Sequence, residues 1–190
     1  MKLSRRFEEA LAFAYQLHNG QARKATSVPY ISHLLAVTSL VLEQGGDEDE
    51  AIAALLHDAV EDQGGAAARE QIRRRFGERV AGIVDGCTDT DATPKPPWRA
   101  RKEAYIAHLP QTSDSVRLVS AADKLHNARS ILSDYRDQGE ALWGRFQGGK
   151  EGTLWYYRTL ADAFRSLGPK RLADELGRVR GEIERLAANT

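Results

Sequence analysis

The sequence predicts an all-α fold: one compact helical bundle of about eight or nine helices. Apolar residues recur at helical spacing in almost every segment between turn signals, and no stretch alternates apolar and polar residues as a half-buried strand does. The chain has 190 residues, enough for a sizeable core, and no repeat, low-complexity segment or linker long enough to divide it. Residues 1–190 therefore read as a single domain.

Ser4 can cap a first helix reaching about His18, with Phe7, Leu11, Ala14 and Leu17 as its apolar stripe and Asn19-Gly20 as its stop. A loop follows, Gln21 to Pro29, carrying adjacent Arg23 and Lys24. A second helix runs from about Tyr30 to Gln44, with His33 in its first turn and Leu34, Val37, Val41 and Leu42 supplying the buried face. The acidic residues near Asp47 suit the N-terminus of a third helix, which Gly64-Gly65 end. Helices over about 66–76 and 78–87 come next, then a proline-rich exposed loop over 88–98. Residues 98–108 are helical in pattern, and a longer helix covers about 114–134. A glycine-containing loop over 134–149 leads to a helix over about 150–167 with Trp155-Tyr156-Tyr157. Pro169 fits the first turn of a last helix ending near Ala187.

Composition excludes some functions. Lys+Arg and Asp+Glu both number 27, so the net charge is zero, which argues against a nucleic-acid coat or a membrane-surface protein. No segment has the apolar length to span a bilayer, and the N-terminus lacks the apolar core of a secretion signal. The single cysteine, Cys87, permits no internal disulfide, suits a reducing compartment and reads as a buried small hydrophobe. These features point to a soluble cytoplasmic protein.

The chemistry concentrates in His57-Asp58-Ala59-Val60-Glu61-Asp62. On a continuous helix, Ile52, Leu55, Leu56 and Ala59 make one narrow apolar stripe, and His57, Asp58, Glu61 and Asp62 cluster on the opposite face. From Ala25 to Ala68 there is no Lys or Arg, yet the stretch holds Glu43, Asp47, Glu48, Asp49, Glu50, Asp58, Glu61 and Asp62. A bound metal cation is the natural counter-charge; the plainer alternative is the wet face of an amphipathic helix. Later in the chain Asp123, Asn127 and Ser130 fall at i, i+4 and i+7, a polar column that flanking Val116 and Val119 would leave half-buried. Basic residues lie outside the acidic stretch, at 69–79, 95–102 and through the C-terminal half, which suits a phosphorylated small molecule.

The order His33 … His57-Asp58 … Asp123 resembles the HD superfamily of metal-dependent phosphohydrolases. Arg23-Lys-Ala-Thr-Ser-Val-Pro-Tyr-Ile-Ser-His33, the HDxxED pattern of His57 to Asp62, Ala122-Asp-Lys-Leu-His-Asn127 and Phe76 to Thr88 narrow the likeness to RelA/SpoT-type alarmone hydrolases. The resemblance implies an all-helical phosphohydrolase in which His33, His57, Asp58 and Asp123 hold one manganese ion. Mixed imidazole and carboxylate ligation suits manganese but also admits iron, zinc or cobalt. It further implies Glu61 and Asp62 as the catalytic acidic pair, Arg23 and Lys24 against the nucleotide base, and Asn127 with Ser130 near the ribose and 3′ phosphates. Tyr156 looks like a nucleotide-contacting tyrosine. The chain departs from the common pattern with Ala25 in place of Gly, Leu34 in place of Pro and Ala59 in place of Thr. Its length leaves no room for synthetase or regulatory domains, and no obligate protein partner is implied. The implied reaction is removal of the 3′-pyrophosphate of (p)ppGpp, giving pyrophosphate and GDP or GTP. Alternatives are an HD phosphohydrolase acting on an adenosine alarmone or on the 2′-phosphate of NADPH, and a nucleotide sensor with a degenerate HD site.

Overall fold

Several helices begin where short-range chemistry dictates. In the computed structural model, which describes residues 2–90 and 94–188, Ser4 accepts a hydrogen bond from the Arg6 N–H and opens α1 (Arg5–His18). Asp47 and Glu50 form a reciprocal capping box at the start of α3 (Glu48–Leu56). Ser113 caps α8 (Asp114–Gln138). The described residues form ten α-helices and two short 3-10 segments: α2 (Ile31–Glu43), α4 (Ala59–Gln63), α5 (Gly65–Phe76), α6 (Glu78–Cys87), α7 (Trp98–His108), α9 (Gly149–Leu167) and α10 (Lys170–Ala188) complete the set. The only extended pairing among them is an isolated bridge between Ala22 and Pro29. The fold is all-α, as the periodicity predicts.

The ten helices among the described residues exceed the expected eight or nine, one of them arising because the helix carrying the acidic motif divides. α3 stops at Leu56 and α4 starts at Ala59, with His57 and Asp58 (φ −96°, ψ −3°) forming a turn between them. His57 and Asp58 therefore stand at a corner, not along a continuous polar face. The expected single apolar stripe is also too narrow. Ala51 to Leu56 are all fully buried, so α3 is enclosed on every side by α1, α2, α6 and α8. Small Ala51, Ala53 and Ala54 admit that close approach. α8 likewise runs to Gln138, past the expected end near residue 134, and the 3-10 segment Gly139–Arg145 replaces half of the expected loop.

α8 is the second axis of the bundle. It packs against α2, α3 and α6 on one side and α9 and α10 on the other. α7 docks on α9 through Trp98, whose ring lies so close to Gly148 that a Cβ there would come within 2.6 Å of it. In the proline-rich loop, Asp89 is held by Arg101 and by Lys102 at 2.8 Å; residues 91–93 of that loop lie outside the described residues. No helix among the described residues is long and apolar enough to cross a membrane.

Candidate active site

Three buried helix segments bring four side chains to one point. His33 comes from the first turn of α2, His57 and Asp58 from the corner between α3 and α4, and Asp123 from the middle of α8. His33, His57 and Asp58 each offer one ligand atom, all within 4.8 Å of one another. Asp58 Oδ2 lies 3.5 Å from His33 Nε2 and 3.1 Å from His57 Nε2. Asp123 Oδ1 lies 3.2 Å and 3.7 Å from the same two nitrogens.

Both Nε2 atoms are buried and make no hydrogen bond, so two imidazoles face two carboxylates with no shared proton in bonding geometry. The other ring nitrogen of His57 explains its orientation: Nδ1–H donates to the Ala54 carbonyl at 2.8 Å, which leaves the Nε2 lone pair directed into the cluster. Burial opposes charge on His57, but Asp58 and Asp123 outweigh it and hold its pKa well above the ordinary imidazole value. Burial would also raise the two carboxyls. The imidazoles hold Asp58, and Lys124 with the imidazoles holds Asp123, well below the usual carboxylate range. The cluster demands positive charge, and a donor set of two buried imidazoles, buried Asp123 and half-buried Asp58 fits a divalent cation.

Not every acidic residue of the motif region contributes to that demand. Asp47, Glu48, Asp49 and Glu50 are answered by Arg6 and Arg79 at the far end of α3. Glu61 pairs with Lys95 at 2.8 Å, and Asp123 with its neighbour Lys124. The cation-free sequence window thus overstates the local negative charge, because chain folding imports cations from elsewhere.

A cleft of about 570 Å³ opens beside the cluster. Its boundary with the cluster includes hydrogen bonds to the two carboxylates, Asp58 and Asp123. Tyr30 Oη donates to Asp58 Oδ2 at 2.6 Å, and burial plus Asp58 push the Tyr30 hydroxyl far up in pKa, keeping it a donor. Asn127 Nδ2 donates to Asp123 Oδ1 at 2.6 Å, and Asn127 Oδ1 accepts from the Arg23 guanidinium at 2.7 Å. Asp62 takes a hydrogen bond from Gln21 Nε2 at 2.9 Å; burial and nearby Asp58 raise its pKa.

Most residues that the sequence singles out meet here. Arg23, Lys24, Asp62, Asn127 and Ser130 line the cleft; Glu61, one position before Asp62, is paired with Lys95. Tyr156 is placed elsewhere. It is buried, with Trp98 and Lys102 against its ring, and it is Tyr157 that lines the cleft. One residue step on a helix is about 100°, so sequence adjacency cannot choose between them. Of the basic residues in the C-terminal half, Arg145 reaches the cleft, tied to Asp134 at 2.9 Å. Tyr30 and His126 are not marked by the sequence, and Arg145 only as one of the basic residues of the C-terminal half. His126 lines the cleft, and its Nδ1 lies 2.7 Å from His33 Nδ1. Burial, then His33 and Arg23, push its pKa down to about 4. Its place three residues after Asp123, on the same helical face, was the available signal.

The loop carrying Arg23 and Lys24 is fixed by Arg23 N–H to Val28 O at 2.8 Å and Tyr30 N–H to Gln21 O at 2.9 Å. Ala25 within it has φ +59°, the left-handed region where Gly is at ease. The substitution of Ala for the more usual Gly noted in the sequence therefore carries backbone strain.

An all-helical bundle that converges two histidines and two aspartates in the order His … His-Asp … Asp defines the HD class of metal-dependent hydrolases. The chain matches the HD domain family over residues 10–153 and belongs to it. Its relatives include a Xenopus tropicalis protein named guanosine-3′,5′-bis(diphosphate) 3′-pyrophosphohydrolase MESH1, 40% identical over 126 residues that cover 65% of this chain and 68% of that one. The Homo sapiens protein of the same name is 32% identical over 174 residues, covering 86% of this chain and 93% of the other. A solved structure described as a metazoan ortholog of SpoT that hydrolyzes ppGpp superposes with a TM-score of 0.77 at 26% identity, over 96% of this chain and 98% of that one. The chain is an enzyme of the HD phosphohydrolase class.

Proposed function

We propose that this enzyme hydrolyses the 3′-pyrophosphate of a guanosine alarmone such as ppGpp, with manganese as its metal, acting in the cytoplasm. The observation that carries the reading is the continuous chain Arg23–Asn127–Asp123, which joins a cationic, planar group in the loop to the metal cluster across the cleft. Relatives named for this activity support it.

His33, His57, Asp58 and Asp123 would hold the ion. When bound, a divalent cation lowers the pKa of water and polarises a phosphoryl oxygen. Water attacks the phosphorus attached to O3′, the P–O3′ bond breaks, the leaving O3′ takes up a proton equivalent to the one the water gives up, and pyrophosphate separates from a nucleoside with a free 3′-hydroxyl and intact 5′ phosphates. Asp62, whose raised pKa suits proton uptake, accepts the proton of the attacking water, with Glu61 sharing the role from the Lys95 side. Arg23 and Lys24 stack on and flank the purine. Asn127 and Ser130 face the ribose and its 3′ substituent, and Arg145 and Tyr157, which also line the cleft, meet the phosphates.

The test compares ppGpp, its adenosine counterpart and NADPH under manganese, with products separated by chromatography. Pyrophosphate and GDP from ppGpp support the reading. Cleavage of only the adenosine compound or NADPH moves the enzyme to that substrate, and binding without turnover of any of them makes it a sensor.

A further inference from the structure

We infer that His126 couples the metal cluster to the nucleotide: its Nδ1 accepts the Nδ1–H of His33, and its Nε2–H donates to an oxygen of the bound nucleotide. This rests on the proposed reading for the identity of the nucleotide, but not for the link to His33.

A histidine that offers Nε2 to a cation carries its single ring proton on Nδ1. In His33 that nitrogen is 2.7 Å from His126 Nδ1, and two ring nitrogens so close share one proton. With His33 donating, His126 Nδ1 is bare and its own proton sits on Nε2. The ring of His126 is half-buried and lines the cleft, and Nε2 has no hydrogen-bond partner among the described residues. One edge of the ring therefore meets a metal-holding residue and the other is left to the substrate.

The two imidazoles of the cluster are anchored differently. His57 donates to the backbone carbonyl of Ala54, a fixture of α3. His33 donates to a side chain in the substrate cleft, so whatever orders His126 orders His33. His126 also lies between Asp123 and Asn127 on α8, which places its donor edge beside the residues proposed to face the ribose and 3′ substituent. Binding of metal and of nucleotide should then favour each other, as coupled equilibria require.

Three variants separate the two edges. The side-chain amide of Asn overlays Nδ1 of His, and that of Gln reaches the position of Nε2. His126→Asn therefore keeps an acceptor for His33 and loses the donor to the cleft; His126→Gln does the reverse, and His126→Phe removes both. Far-UV circular dichroism first shows that each variant is folded. Manganese alone is then titrated into the full chain by calorimetry. His126→Gln and His126→Phe are expected to lose affinity by about 10–100-fold, while His126→Asn stays within about threefold of the parent. With manganese saturating, His126→Asn is expected to raise KM for ppGpp by about tenfold, the loss of a hydrogen bond to a charged oxygen. Parental manganese affinity in His126→Phe, or equal loss in His126→Asn and His126→Phe, overturns the link to His33. An unchanged KM in His126→Asn overturns the contact with nucleotide. If the parent enzyme cleaves no ppGpp, the proposed activity fails, and the manganese titrations still decide the link.

Discussion

Arg23 and Asn127, separated by 104 positions in the chain, are joined by a 2.7 Å hydrogen bond that closes one side of the cleft. Asn127 passes the connection on to Asp123 at 2.6 Å, so a loop residue helps aim a residue of the metal cluster. Because the bond involves a charged donor, it contributes more than a neutral one. Arg23→Ala should lower kcat/KM for ppGpp by about 10–100-fold, mostly through KM. Steady-state kinetics checks this; a fall confined to kcat would show that Arg23 acts on the metal cluster more than on the base.

Removal of either aspartate should abolish metal retention. Asp58→Ala and Asp123→Ala each leave two buried imidazoles facing a single carboxylate. Metal content after manganese reconstitution should drop from one ion per chain toward zero in both variants. Chelation of the parent enzyme should lower its Tm, because an ion bound only by the folded state stabilises it. Manganese affinity should also weaken as the pH is lowered, since protonated imidazoles and carboxyls cannot ligate. Full metal occupancy in both variants would remove the site.

Asp62→Asn and Glu61→Gln keep size and remove charge. Each should reduce kcat by a factor on the order of 10²–10⁴ with the metal retained. The check is kcat together with metal content in the same preparation. Normal turnover in both would take the proton-transfer role away from this pair.

Tyr157 lines the cleft and Tyr156 packs against Trp98. Tyr157→Phe should therefore raise KM for ppGpp by about 3–10-fold, the loss of one hydrogen bond. Tyr156→Ala should cost about 3–5 kcal/mol of stability, as other aromatic truncations in cores do. Paired kinetics and urea unfolding separate the two effects, and a larger KM change for Tyr156→Phe than for Tyr157→Phe would reverse the assignment.

Asp47 caps α3 and pairs with Arg79 at 2.7 Å. Asp47→Ala should cost about 0.5–2 kcal/mol at neutral pH, the usual loss for a cap. The Arg79 hydrogen bond outweighs slight burial and holds the Asp47 carboxyl below its ordinary value. Its contribution is therefore complete above the unfolded carboxylate pKa and is lost as the pH falls through the lowered folded value. Urea unfolding of parent and variant across the acid range should show the gap closing toward low pH; a constant gap would assign the effect to something other than the ionised cap.

The sequence by itself determined the helices and the chemical inventory. Helical periodicity, caps and stops act over three or four residues, so Ser4, Asp47, Gly64 and Gly77 mark boundaries without reference to the rest of the fold. Four of the polar residues of the site fall in the six positions from His57 to Asp62, and Asp123, Asn127 and Ser130 share one face of a single helix. Local spacing was enough to find both groups. Tertiary structure alone decided how they are used. It broke the helix at His57-Asp58, so that imidazole and carboxylate meet His33 at a corner. It sent Arg6 and Arg79 to the acids of the α3 N-terminus, Lys95 to Glu61, and Tyr157 rather than Tyr156 to the cleft. His126 reached His33 across 93 positions. Those outcomes depend on the angles at which α2, α3 and α8 cross, and crossing angles are set by the packing of many side chains together, which no spacing along one segment records.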